Sequence, residues 1–171
     1  MSIKDDTFCP LPWLHLGTHP HGGVTPCCIS DMTAGKNRAR NYGKERDEFF
    51  NLNDHNIETH MNSDYFKEIR KEMLNDLEPK ACKRCYDEER KGIKSKRVHE
   101  SEVYKDFNPD YASRLTSEDG SIPLDLRFVE LRLGNVCNVR CRTCNPASSS
   151  RWVADYKKIV DSLEFVNDGY S

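Results

Sequence analysis

The sequence predicts an α/β chain in two parts. An α+β N-terminal module, a small hairpin plus helices carrying four cysteines, is followed by a single strand–loop–helix (βα) unit. Three observations predict this. Two short apolar runs flank a Gly/Pro turn at residues 11–29, a 3.6-residue apolar period occupies residues 64–77, and a strand-like run from Leu124 leads through a cysteine-rich loop into a second helical pattern.

Residues 11–18 and 23–29 read as strands, and His19-Pro20-His21-Gly22-Gly23 reads as the turn between them, because glycine supplies positive φ and proline fixes its own. Cys9 precedes this hairpin and Cys27 sits at its far end. Residues 31–60 are polar apart from Phe49, Phe50 and Leu52, and are expected to be loop with one short helical turn. From Asp64, Tyr65, Phe66, Ile69, Met73, Leu74 and Leu77 share one helix face; Asn62 or Ser63 can cap the start, and Pro79 ends the helix. The charged segment from Tyr86 to Phe107 is expected to be helical with a break near Gly92. The Pro, Gly, Ser and Asp of residues 108–123 read as a linker. In residues 124–133 both faces carry apolar groups, as in a strand of a parallel sheet or barrel. Ser148, Ser149 or Ser150 can cap a last helix with Trp152, Val153, Tyr156, Ile159, Val160 and Leu163 on one side. A lone βα unit cannot bury its own apolar faces. The predicted divisions are 1–107, a linker at 108–123, and 124–171.

The chain has 171 residues, of which 36% are hydrophobic and 32% charged, with a net charge of −2. Such a balance suits a highly solvated protein and gives no bulk attraction to nucleic acid or membrane. No apolar run approaches the roughly 18 residues of a transmembrane helix, and the N-terminus lacks the apolar core of a signal peptide; a cytoplasmic location is expected. Seven basic and three acidic residues in the stretch 83–97 read as a solvated helix face. The eight cysteines fall as Cys9, the pair Cys27 and Cys28, Cys82-x2-Cys85, and the triple Cys137, Cys141 and Cys144. In a reducing compartment such close spacings favour metal over disulfides.

The triple has the spacing C-x3-C-x2-C. Three thiolates can hold three irons of a cubane cluster and leave the fourth open to a small molecule. Zinc would need a fourth ligand from elsewhere in the chain, and a ferredoxin run would show C-x2-C-x2-C with a further cysteine and proline. The stretch Leu-Arg-Leu-Gly-Asn-Val-Cys-Asn-Val-Arg-Cys-Arg-Thr-Cys-Asn-Pro-Ala-Ser-Ser-Ser-Arg-Trp, residues 131–152, resembles the cluster loop of the radical S-adenosylmethionine (SAM) superfamily. The resemblance implies that Cys137, Cys141 and Cys144 bind a [4Fe–4S] cluster after the first strand of a partial (β/α)6 barrel. SAM would ligate the open iron and be cleaved reductively to a 5′-deoxyadenosyl radical that abstracts hydrogen from substrate. The family often has an aromatic residue just before the last cysteine; here it is Thr143, which weakens adenine packing as a role for that position.

Three N-terminal runs, Phe-Cys-Pro-Leu-Pro-Trp-Leu-His-Leu (8–16), His-Gly-Gly-Val-Thr-Pro-Cys-Cys (21–28) and Ala-Cys-Lys-Arg-Cys-Tyr-Asp-Glu-Glu (81–89), resemble the twitch or SPASM-like auxiliary-cluster modules of radical SAM enzymes. Gly22 and Cys27 match their G-x4-C signature. The resemblance implies an auxiliary cluster on Cys9, Cys27, Cys82 and Cys85, with Cys28 spare; a structural zinc on the same four thiolates is the competing reading. The familiar module follows the barrel, whereas this one precedes the barrel strand.

Weaker candidates accompany these. His15, His19 and His21 cluster at the hairpin, but pairing in a strand and a solvated turn explain them. Trp13 and Trp152 are expected in the core, Glu130 and Arg132 as an ion pair, and Asp87, Glu88 and Glu89 as a charged helix face. The implied whole is the N-terminal portion of a radical SAM enzyme, truncated after one βα unit and inactive alone. Its partners would be SAM, a reductant such as flavodoxin or ferredoxin, and an unknown substrate, a peptide or a small molecule. The alternative is a non-catalytic zinc or Fe–S scaffold or an electron-transfer module.

Overall fold

Proline shapes the first element. In the computed structural model, which describes residues 7–19, 23–30, 40–43, 46–49, 52, 55–146 and 148–162, Leu11–Leu14 form a single helical turn, α1. Pro12 lies in that first turn, where its missing N–H costs nothing, and the amides of Trp13 and Leu14 donate to the Pro10 carbonyl at 3.0 and 3.2 Å. The strand expected over residues 11–18 therefore starts only at His15. β1 (His15–Thr18) pairs antiparallel with β2 (Val24–Thr25), Gly17 opposite Thr25 and Thr18 opposite Val24. Gly17 is required by a close approach: a Cβ there would stand 3.0 Å from Thr25 Oγ1. The hairpin is as expected, but shorter.

Part of the polar stretch 31–60 is not loop. β3 (Arg40–Gly43) and β4 (Arg46–Phe49) form an antiparallel ladder with Arg40 opposite Phe49. Backbone pairing needs no apolar alternation, so the sequence pattern carried no sign of it. α2 (Ile57–Met61) starts where Asn56 Oδ1 accepts the Thr59 amide at 2.8 Å. α3 (Asp64–Leu74) buries Tyr65, Phe66, Ile69 and Met73 as its period predicts. It stops before residue 77, with Asp76 at a φ of 57°, and leaves Leu77 exposed.

A 3₁₀ turn, Lys80–Cys82, leads into α4 (Lys83–Arg90). Gly92 breaks the chain at a φ of 74°, a conformation glycine adopts without strain, and α5 (Lys96–Val103) follows. Residues 108–123, expected as a linker, instead contain α6 (Pro109–Leu115), capped by Asn108, whose Oδ1 accepts the Tyr111 amide at 2.9 Å. Ala112 and Ile122 from this stretch are buried. Its turn residues thus serve as a helix cap and a tight corner.

β5 (Phe128–Glu130) is shorter than the expected strand and runs parallel to β1, with His15 opposite Phe128 and Gly17 opposite Glu130, giving the sheet order β2-β1-β5. Val129 and Leu131 are exposed, so this strand is not buried on both faces.

By internal contacts the chain divides into two units, Met1–Leu131 and Arg132–Ser171. The core of the first gathers Leu11, Trp13, Leu14 and Leu16 against Met61, Phe66, Ile69 and Met73. Fully buried Arg70 ties its segments together. Nε donates to Gly120 O at 2.9 Å, Nη1 to Pro12 O at 3.0 Å, and Nη2 to Met61 O at 2.8 Å. Burial lowers its pKa to about 10, which still leaves it cationic at neutral pH.

The second unit contains the cysteine-rich loop, a 3₁₀ turn (Ser150–Trp152) and α7 (Val153–Ser162). Val153, Tyr156, Ile159 and Val160 of α7 are exposed, as are Leu133 and Val136 before the loop. Leu163 falls outside the described residues.

Candidate metal centre

Three separated segments deliver four thiols to one place. Cys9 sits on a stretch held at each neighbouring residue: Tyr86 Oη donates to Thr7 O at 2.8 Å, Thr7 Oγ1 to Met73 O at 3.3 Å, and Arg97 Nη1 to Phe8 O at 2.9 Å. Phe8 packs on Trp13 and Phe107, with ring centroids 5.3 and 6.4 Å away. Cys27 follows β2 in a turn where Ser30 donates to its carbonyl through both N (3.2 Å) and Oγ (2.8 Å). Cys82 ends the 3₁₀ turn and Cys85 lies in the first turn of α4. A spacing of three residues turns both side chains to the same helix side.

Cys9, Cys27, Cys82 and Cys85 all line one pocket, which encloses about 410 Å³ of space, mouth included. Its other walls are mostly apolar, among them Leu11, Pro26, Ile29 and Met73, and no carboxylate or imidazole contributes. Among the described residues no three His, Cys, Asp or Glu side chains converge on the position of a single ion. The four cysteines share the lining of one volume. A set of soft thiols in an apolar pocket suits an iron–sulfur group or zinc, not hard oxygen-seeking cations.

Three of the thiols, Cys9, Cys27 and Cys82, resist ionisation. Burial, followed by the neighbouring Cys82, drives Cys9 well above the usual thiol range. Burial pushes Cys27 up to about 12, and it also raises Cys82, with Cys27 and Cys85 adding to the shift. Cys82 heads α4, where the helix dipole favours a thiolate; desolvation outweighs it. Cys9, Cys27 and Cys82 are therefore neutral thiols in the metal-free protein. A metal held there would have to displace those protons, and its positive charge would stabilise the thiolates that burial disfavours.

Cys28 is exposed and does not line the pocket. His15 is fully buried and directed elsewhere. With Nδ1 donating to Pro26 O at 2.8 Å, it braces the residue before Cys27. Its Nε2 is buried without a hydrogen bond, as is Thr25 Oγ1. His21 and Gly22 lie outside the described residues.

Cys137, Cys141 and Cys144 lie on one loop of the second unit, Cys141 exposed and the other two half-buried. The loop is held from its own flanks. Trp152 Nε1 donates to Cys141 O at 3.1 Å, Ser149 Oγ to Val139 O at 3.1 Å, and Arg140 pairs with Asp155. Trp152 is thus a brace for the loop rather than the core residue expected, whereas Trp13 is buried in the core.

The N-terminal quartet has a counterpart among known families. Residues 9–86 match the model of SPASM, an iron–sulfur cluster-binding domain. The SPASM match begins at Cys9, ends one residue past Cys85, and so spans the whole quartet. This agrees with the SPASM-like resemblance of the three N-terminal runs. No curated protein and no solved structure matches the chain.

Sequence reasoning missed two residues beyond the SPASM match. Arg97 lines the pocket and is only 8% exposed, and Lys96 senses Cys28 and Cys27. Both belong to the basic run read as a solvated face. The one available sign was the Ser95 cap, which sets the first turn of α5 and with it the direction of Arg97: Ser95 Oγ accepts the Val98 amide at 3.2 Å.

Proposed function

We propose that the chain belongs to a radical SAM enzyme. Cys9, Cys27, Cys82 and Cys85 would hold an auxiliary iron–sulfur cluster, and Cys137, Cys141 and Cys144 a [4Fe–4S] cluster with one open iron. The observation that carries this reading is the gathering of four distant thiols around one apolar pocket, within the stretch that matches an iron–sulfur cluster-binding domain. Four protein ligands saturate the first centre, which fits electron relay or structural reinforcement. The second, with three, leaves a position for SAM, whose reductive cleavage would supply a radical for hydrogen abstraction.

The chain's own residues do the holding. Tyr86 and Arg97 fix the backbone around Cys9, Ser30 fixes the turn of Cys27, and Trp152 and Ser149 fix the C-terminal loop. Leu11, Pro12, Pro26, Ile29 and Met73 would limit the access of water to the first centre. Electrons would come from a low-potential reductant such as flavodoxin or ferredoxin, in the cytoplasm, and the substrate class most often tied to auxiliary modules is a peptide. No helix among the described residues is long and apolar enough to cross a membrane. Exposed Leu133, Val136 and the apolar residues of α7 are faces that further βα units of a barrel would cover.

Anaerobic reconstitution with iron and sulfide tests the proposal. The expected product is brown, carries two spectroscopically distinct centres, and changes its electron paramagnetic resonance (EPR) signal on addition of SAM. Replacing Cys137, Cys141 and Cys144 with Ala should abolish only the SAM-sensitive signal. A colourless protein containing zinc, or iron signals indifferent to SAM, would overturn the reading.

A further inference from the structure

The first turn of α5 aims a buried cation at the thiol pocket. Arg97 is fixed from three sides: Nη1 donates to Phe8 O at 2.9 Å, Nε donates to Glu89 Oε1 at 2.9 Å, and Nη2 pairs with Glu89 Oε2. Its guanidinium also lies over the Tyr86 ring, 5.2 Å from the centroid. Phe8 directly precedes Cys9, and Arg97 itself lines the pocket. A buried charge this well fixed acts through a medium that screens it poorly. The field reaches the sulfurs: Arg97 favours the ionised form of Cys82, and Cys9 in turn favours the charged form of Arg97.

We infer that Arg97 is a positioning residue that sets the reduction potential of the iron–sulfur centre held by Cys9, Cys27, Cys82 and Cys85. The inference rests on the iron–sulfur reading of that site. Reduction adds one electron, from an external low-potential donor, to a centre already made anionic by four thiolates. No bond to the protein forms or breaks. The guanidinium stabilises the more negative, reduced state over the oxidised one and so raises the potential. Glu89, on the far side of the same ion pair, works against it while holding the guanidinium in place.

The test is an EPR-monitored dithionite titration of the full chain after anaerobic reconstitution, with Cys137, Cys141 and Cys144 replaced by Ala so that the N-terminal centre alone contributes. Arg97→Gln should shift the midpoint potential downward, Arg97→Lys should leave it near the parental value, and Glu89→Gln should shift it upward. A purely structural role predicts no such opposite signs. Parental potentials in cluster-loaded Arg97→Gln, or shifts of the same sign in Arg97→Gln and Glu89→Gln, would overturn the inference. If Arg97→Gln fails to hold a cluster, Glu89→Gln decides alone: an upward shift supports the inference and an unchanged potential refutes it. A parental protein that binds no iron would refute the centre itself, and this inference with it, before any variant is compared.

Discussion

The two cysteine sets are built in opposite ways. Cys9, Cys27, Cys82 and Cys85 come from three distant segments and line one pocket because α1, the β1–β2 hairpin, α3 and the 3₁₀ turn before α4 share one core, to which Tyr86 of α4 is bonded through Thr7 O. Cys137, Cys141 and Cys144 come from one short stretch whose supports, Ser149, Trp152 and Asp155, follow close behind in the chain. Burial in the first set raises the pKa of Cys9, Cys27 and Cys82; the second includes exposed Cys141. Long-range packing therefore pre-shapes one site and shields it from water. Local spacing groups the other set, whose Cys141 is exposed and whose Cys137 and Cys144 are half-buried.

Removing one sulfur from each set gives the largest contrast. Cys85→Ser should eliminate the N-terminal centre and lower the melting temperature of the iron-loaded protein markedly, since metal binding free energy is folding free energy at such sites. Iron bound by the C-terminal loop should remain. Loss of both centres together would break the distinction.

A change outside the cysteines should separate the sites almost as well. Arg70→Met strands the carbonyls of Pro12, Met61 and Gly120 without their buried donor, at a cost of roughly 3 kcal/mol or more. Denaturant unfolding of the unloaded protein should show that loss in the first unit, while the SAM-sensitive signal of the loop persists.

Acid should act on the first unit through His15. Burial lowers its pKa, so the folded state holds it neutral while the unfolded chain accepts a proton near pH 6.5. Its contribution to stability is then fully present above that pH and declines as pH falls toward the folded-state value. Denaturation midpoints measured from pH 7.5 down to pH 5 should fall more steeply for the parent than for His15→Gln. Parallel curves would remove His15 from the account.

The smallest effect belongs to the loop's brace. Trp152→Phe deletes the hydrogen bond to Cys141 O and should cost about 1 kcal/mol locally. It should appear as faster iron loss to a chelator from the C-terminal centre alone.

Local features were legible in the sequence. α3 follows its apolar period, and α4 and α5 part at Gly92. The four-thiol set was also proposed from the sequence, through likeness to known modules rather than from spacing. The β3–β4 ladder and α6 were not legible, because backbone pairing and a helix cap need no apolar pattern. Arg97 was hidden for the reverse reason, since a charged residue in a charged run reads as solvent-exposed until its buried partners are known.

By itself the sequence determined which atoms are available: eight thiols, five of them at metal-ligand spacings, a C-x3-C-x2-C loop after an apolar run, and helices set by period and cap. Only the tertiary structure decided that β5 pairs with β1, that Arg70 and Arg97 are buried, and that four remote sulfurs line one pocket. The reason is physical. Spacing along a helix or loop is a local constraint, whereas burial, dielectric and charge proximity depend on which distant segments the core brings together.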